Sequence, residues 1–226
     1  MNDENIIVGN EEIEKALTVK FNIYLVVKRI IDIIASMFGI IILIPLTIIV
    51  KISYMLSGDF HSIFFNQERI GKNGKPFKMF KFRTMIPNAD DELKKLLKKD
   101  KKIKEEYTKY KKLENDPRIT KVGNLLRKFS LDEFPQFINI FIGNMSLVGP
   151  RPYLFREKKD MGKYFNIIKE AKPGLTGYWQ VNGRNNTDFK DRLQLDEEYL
   201  KIRGLKLDIK IIFKTFFKVL SRDGAK

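Results

Sequence analysis

A mainly helical α+β fold, with one apolar helix inserted in a membrane, amphipathic helices at its interface and a small β-hairpin element, is predicted by three features of the sequence. Residues 33–50 form a run without a single charge. Residues 205–220 repeat a lysine every four positions among large apolar side chains. Asn73-Gly74 stands between two short β-prone runs.

The composition sets the outer limits. Of 226 residues, 43% are hydrophobic and 31% charged, which excludes wholesale disorder. Lysine and arginine number 43 against 28 acids, a formal net charge of +15. Such a surface suits phosphates, whether of nucleic acid, anionic lipid or a nucleotide. The absence of cysteine removes disulfides, thiolate zinc sites and a cysteine nucleophile. The single histidine, His61, has nothing near it in sequence to build a triad or a metal site, and reads as a loop residue.

In chain order, residues 1–20 are an acidic extension without the basic start of a signal peptide. Residues 21–56 hold the apolar run. Eighteen helical residues reach about 27 Å, close to the roughly 30 Å of a bilayer's hydrocarbon layer. Pro45 lies inside the run, and basic residues flank both ends: Lys28-Arg29 before it and Lys51 after it. Proline bends a helix, and two-sided basic flanks name no inside. The residues therefore leave a spanning helix and a re-entrant one both open. Residues 57–226 read as a catalytic domain at the membrane interface. Within it, residues 64–70 and 76–82 predict a hairpin turning at Asn73-Gly74. Gly71-Lys72-Asn73-Gly74-Lys75 lacks the spacing of a phosphate-binding P-loop. Residues 88–114 predict a solvated helical insertion. Near the C-terminus, Lys206, Lys210, Lys214 and Lys218 predict a stripe on an interfacial helix, placed to meet anionic headgroups.

The chemistry concentrates between Asn115 and Arg151. Ser130-Leu131-Asp132-Glu133 fits a capping box, which would make both acids part of a helix start. Pro135 argues against an ordinary helix there. Adjacent carboxylates diverge on a helix, so they do not suit the opposed pair of a glycosidase. One carboxylate as nucleophile, with its neighbour assisting a metal or a proton, suits them better. A helix start would also keep Asp132 ionised. Arg127, Arg151 and Arg184 can supply the cationic clamps of phosphoryl transfer. Around Arg184, the loop that holds Trp179 and Gln180 offers aromatic and amide groups that suit a nucleotide base.

Five stretches together carry a resemblance: Lys81-Phe82-Arg83-Thr84-Met85, residues 115–120 (NDPRIT), residues 130–136 (SLDEFPQ), residues 145–152 (MSLVGPRP) and residues 173–184 (PGLTGYWQVNGR). In this order they resemble the bacterial sugar transferase family, the monotopic phosphoglycosyl transferases, from about Val27 to the C-terminus. The resemblance implies a re-entrant helix-break-helix at Pro45 that enters only the cytoplasmic leaflet of the bacterial inner membrane. Ile44 stands where members often carry a small or polar residue. It implies an Asp132-Glu133 dyad, with Asp132 forming a phosphosugar ester and both acids serving Mg²⁺. Arg127, Arg151, Arg184 and Gln136 take substrate-binding positions. The implied reaction moves a sugar-1-phosphate from a UDP-sugar to undecaprenyl phosphate, releasing UMP, as the first membrane step of capsule, exopolysaccharide or O-antigen synthesis. Galactose or glucose is favoured over N-acetylhexosamines. The chain resembles the minimal catalytic form, without the multi-span N-terminal region of larger relatives. Expected partners are the UDP-sugar, the polyprenyl phosphate and the bilayer, with a homodimer compatible and no nucleic acid. The rival reading is a non-enzymatic basic protein that binds membrane or nucleic acid; it needs no Asp132. A glycosyltransferase releasing a nucleoside diphosphate usually carries Asp-x-Asp, which this chain lacks.

Overall fold

The computed structural model describes residues 3–110, 113–183 and 187–221, with 3–16 and 220 as backbone only. Helix α1 (Asp3–Leu56) runs through Pro45, helical at every residue. The hydrogen-bonded helix therefore does not break where a break is expected, and residues 3–20 are its first turns rather than a loose tail. Along it, Asp32, Ser36, Gly39, Leu43, Val50 and Tyr54 are buried at helical spacing. This stripe continues on both sides of Pro45 and packs on the rest of the molecule. Gly39 meets the face of Phe137 so closely that a Cβ would stand 2.3 Å from the ring. The opposite face is apolar and bare, with Phe38, Ile41 and Ile44 all more than 60% exposed. Among the described residues, the stretch Leu17–Leu56 is the one helix long and apolar enough to cross a membrane.

Strands β1 (Phe64–Ile70) and β2 (Pro76–Phe82) pair antiparallel, with Phe64 opposite Phe82 and Ile70 opposite Pro76. Asn73 and Gly74 both take positive φ, 60° and 76°, which is why Asn-Gly turns the hairpin here. The insertion forms two helices, α2 (Ala89–Lys99) and α3 (Lys101–Tyr110), separated at Asp100 by one extended residue. Helix α4 (Lys121–Lys128) starts at Thr120, whose hydroxyl caps the Gly123 amide at 2.9 Å. A 3₁₀ turn (Leu131–Glu133) leads into α5 (Gln136–Phe141).

Sequence patterning missed a second, parallel strand pair: β3 (Ser146–Val148) with β4 (Gly174–Thr176). Three-residue strands show no alternation that a pattern can detect. Between them lie α6 (Lys158–Met161) and α7 (Tyr164–Ile168). After β4 come α8 (Tyr178–Asn182), α9 (Phe189–Ile202) and α10 (Leu205–Ser221). The interior consists of several small clusters. One joins Leu43, Val50 and Tyr54 of α1 to Phe82 and Leu126; another joins Ile70, Tyr153 and Phe189. Helix α10 is pinned to α1 by Asp208, 3% exposed, which accepts from Tyr24 (2.9 Å), Lys28 (2.5 Å) and Tyr199 (2.8 Å).

Candidate active site

The two adjacent acids sit where three elements meet. Asn139 of α5, fully buried, accepts from the Phe80 amide (2.9 Å) and donates to the Lys78 carbonyl (2.8 Å). These two hydrogen bonds to β2 fix the turn before α5 against the strand and bring Lys81 over it. Lys81 Nζ lies 2.7 Å from Glu133 Oε1 and 3.9 Å from Asp132 Oδ2.

The capping box is not formed. Ser130 takes φ 54°, a left-handed conformation, and its side chain caps nothing. Glu133 turns to Lys81 instead of back to residue 130. Pro135 instead occupies the position just before α5. The dyad therefore rides on a strained, three-residue turn. A turn this short lacks the aligned amides that favour an anion. Burial pushes the Asp132 carboxyl above its usual value, opposed by Lys81 and aided by the Glu133 charge. The expected help of a helix start in ionising Asp132 is thus outweighed by burial. For Glu133, the surrounding protein also works against ionisation. The Lys81 charge and hydrogen bond, with Arg151 and Arg69, outweigh it and pull the carboxyl below its usual value.

Three arginines act on the dyad: Arg127 on Asp132, and Arg151 and Arg69 on Glu133. Arg127, at the end of α4, donates through Nε to Thr84 Oγ1 (3.0 Å) and acts electrostatically on Asp132. Arg151 follows β3, and its loop is clamped from both flanks. On one flank, Arg69 donates to the Pro152 carbonyl (2.8 Å) and the Ile70 amide to the Tyr153 carbonyl (2.9 Å). On the other, buried Asp196 of α9 accepts from the Arg151 amide (3.1 Å) and the Tyr153 hydroxyl (2.8 Å). Burial raises Asp196 to about 7, against the pull of Tyr153 and Arg151. Burial, then the Arg151 charge, lowers Arg69 to about 10. The parallel strands hold this loop against the β4–α8 loop, with Gly149 N bonded to the Thr176 carbonyl at 3.0 Å. Side chains have no room between them: a Cβ on Gly177 would stand 2.2 Å from the Gly149 carbonyl oxygen.

Trp179 has the Arg151 and Arg192 guanidiniums over its ring, at 5.7 and 5.5 Å from the centroid. The aromatic group expected beside a base is already engaged by cations. Gln136 is buried (2% exposed) at the start of α5, one turn beyond the dyad. Arg184 and Asn185 lie outside the described residues. Sequence reasoning gave no role to Lys81, Arg69, Asn139, Arg192 or Asp196. Lys81 sits in a quoted motif, but a lone strand lysine announces no partner. The others become visible only when distant segments meet.

Among the described residues, no group of three or more acids or histidines gathers. The carboxylates of Asp132 and Glu133, hard oxygen donors side by side, fit a magnesium ion that takes one or two carboxylates and completes its shell from substrate phosphates and water.

The bacterial sugar transferase family matches residues 23–222. The chain belongs to this family. Relatives include the undecaprenyl-phosphate galactose phosphotransferase of Salmonella typhimurium, 44% identical over 88% of this chain and 41% of its own. The UDP-galactose-lipid carrier transferase of Erwinia amylovora is 42% identical, over 88% and 41%. The exopolysaccharide production protein ExoY of Sinorhizobium fredii is 40% identical, over 88% and 87%. The sugar transferase described here therefore spans about two fifths of the first two relatives and most of the third.

Proposed function

We propose that this sugar transferase moves a hexose-1-phosphate from a UDP-sugar to undecaprenyl phosphate at the cytoplasmic face of the bacterial inner membrane, in exopolysaccharide or capsule synthesis. The observation that carries it is a buried carboxyl, Asp132, beside Glu133 after the left-handed Ser130, with Lys81 near both acids, Arg127 acting on Asp132 and Arg151 on Glu133. Asp132 Oδ attacks the β-phosphorus of the donor. The bond from that phosphorus to the bridging oxygen breaks, and UMP leaves with the electron pair. An oxygen of the lipid phosphate then attacks the aspartyl phosphosugar, and the carboxylate is restored. A poorly solvated carboxylate makes a reactive nucleophile, and an acyl phosphate passes its phosphoryl group on readily. Asp132 and Glu133 would hold Mg²⁺, which would offset the charge of the diphosphate. Lys81 keeps Glu133 ionised, and Arg127 and Arg151 take the phosphate oxygens. Arg184 holds the nucleotide half. The names of the Salmonella and Erwinia relatives support an undecaprenyl-phosphate acceptor and a galactose donor.

The re-entrant arrangement belongs to the same reading. From Tyr24 to Tyr54 the path along α1 is about 45 Å, yet both ends dock on one globular domain. Tyr24 and Lys28 bond to Asp208, and Tyr54 to the Arg83 carbonyl. A helix crossing a bilayer of about 30 Å would leave that domain behind. This supports a helix that stays on one face, and, being helical through Pro45, it would dip into lipid by bending there rather than by breaking.

The test omits the acceptor lipid. Wild-type protein with UDP-sugar and Mg²⁺ should gain the mass of one sugar phosphate, and Asp132→Asn should gain none and lose nearly all turnover. Turnover at the wild-type rate by a folded Asp132→Asn protein would refute the mechanism.

A further inference from the structure

Two cations meet at Gly143, at the end of α5 away from the dyad, and the reaction gives them nothing to do. Arg29 reaches across from α1 and donates Nη1 to the Ile140 carbonyl (2.7 Å) and Nη2 to the Phe141 carbonyl (2.8 Å). Lys172 enters from the loop before β4. The place a Gly143 Cβ would occupy is 3.5 Å from Arg29 Nη2 and 3.5 Å from Lys172 Nζ, so the two charges are at most about 7 Å apart. Lys72, exposed on the hairpin turn, adds a third charge that acts on Lys172.

Lys172 makes no hydrogen bond or ion pair among the described residues. Burial, then Arg29 and Lys72, push its ammonium below the usual lysine value, against the pull of Asp32. Asp32 is itself engaged by Ser146 Oγ (3.1 Å) and the Leu147 amide (2.8 Å). Two like charges this close, one of them half-buried and unbonded, repel until an anion comes between them. Gly143, at φ +91°, leaves the ground between them bare. Beside it, Phe141 and Ile142 are 44% and 56% exposed, and α1 enters its apolar run four residues after Arg29.

We propose that Arg29 and Lys172 form a binding site for a phosphate group, filled by the headgroup of an anionic phospholipid whose acyl chains lie against Phe141 and Ile142. Free inorganic phosphate shares the chemistry but would make no use of the apolar neighbours. The site is independent of the transfer reaction, so its test does not depend on turnover.

Thermal unfolding of the detergent-solubilised full chain is followed with dihexanoylphosphatidylglycerol and, separately, with inorganic phosphate. The lipid should raise the wild-type midpoint. Lys172→Met should need about fivefold more lipid for the same rise, the factor that one lysine near an anionic headgroup contributes. Lys172→Gln gives a second variant should the Met protein unfold early without ligand. A wild-type rise with inorganic phosphate alone, lost in the Lys172 variants, would keep the site and make free phosphate its ligand. No rise with either probe, or equal titrations for the wild type and both Lys172 variants, would overturn the proposal.

Discussion

Lys81 pulls both carboxyls of the dyad downward. It opposes the burial that lifts Asp132, and it is the main reason Glu133 lies low. Removing its charge should raise both. If turnover needs ionised Asp132, activity is lost as pH falls through the carboxyl's value in the folded protein. Lys81→Met should therefore move the acid limb of the kcat/KM profile to higher pH, along with a lower plateau. An acid limb that stays where it is in Lys81→Met would separate Lys81 from the dyad. The acids themselves were legible in the sequence as an adjacent pair preceding a proline. Their environment was not. The capping box is a local pattern, and it failed because Ser130 is held left-handed while Glu133 finds a lysine 52 positions earlier. Asp196 was invisible for a similar reason: it lies 45 positions from the amide it accepts.

At the scale of elements, sequence reasoning performs best where a single segment carries its own signal. The hairpin forms with Asn73-Gly74 at its turn because two consecutive positive φ values suit those residues and few others. The parallel β3–β4 pair depends on glycines meeting across 25 or more residues, which periodicity does not report. Helix α1 kept its period through Pro45 although a break is expected there. Leu43 and Val50 stay on the packed side, and Pro45 itself points away from it. Cysteines introduced singly at Asn10 and Ser57 report its path, since the chain has no other thiol. Both should label from the same face of oriented vesicles, and Pro45→Leu should favour a spanning form labelled from opposite faces. Helix α10 divides its lysines. Lys206 and Lys210 are exposed, whereas Lys214 bonds Asn182 Oδ1 (3.1 Å) and Lys218 the Gln180 carbonyl (3.0 Å). The uniform headgroup stripe predicted from spacing is thus half committed to α8. Charge reversal at Lys206 and Lys210 should weaken the dependence of activity on anionic lipid, by about 1 kcal/mol of binding per lysine. Lys214→Met with Lys218→Met should instead raise the KM for the donor, because α8 loses its tether. Identical effects of the two pairs on both measurements would contradict this division.

For the whole molecule, the basic surface is spent in distinct places: around the dyad, along α10 and beside Gly143. No single patch accounts for the net charge of +15. This is why composition alone left nucleic acid, lipid and nucleotide equally open. Across a panel of UDP-sugars with undecaprenyl phosphate, UMP should be the released nucleotide, with UDP-galactose or UDP-glucose used in preference to N-acetylhexosamine donors. Release of UDP would point to a glycosyltransferase without a phosphosugar intermediate. A preference for an N-acetylhexosamine would leave the chemistry intact and correct only the sugar.

The clasp between Tyr24, Lys28 and Asp208 spans 184 and 180 positions of chain. During synthesis the apolar helix leaves the ribosome long before Asp208 exists. Phe137, which Gly39 packs against, also comes late. The newborn α1 therefore waits for its protein partners, which arrive one after another, Phe82 and Leu126 first, then Phe137 and last Asp208. Closure of the fold waits for α10. A chain stalled short of α10 would lack the clasp on Tyr24 and Lys28, and α1 would be held at its Gly39–Phe137 contact, by Arg29 on the Ile140 carbonyl and by its cluster with Phe82 and Leu126.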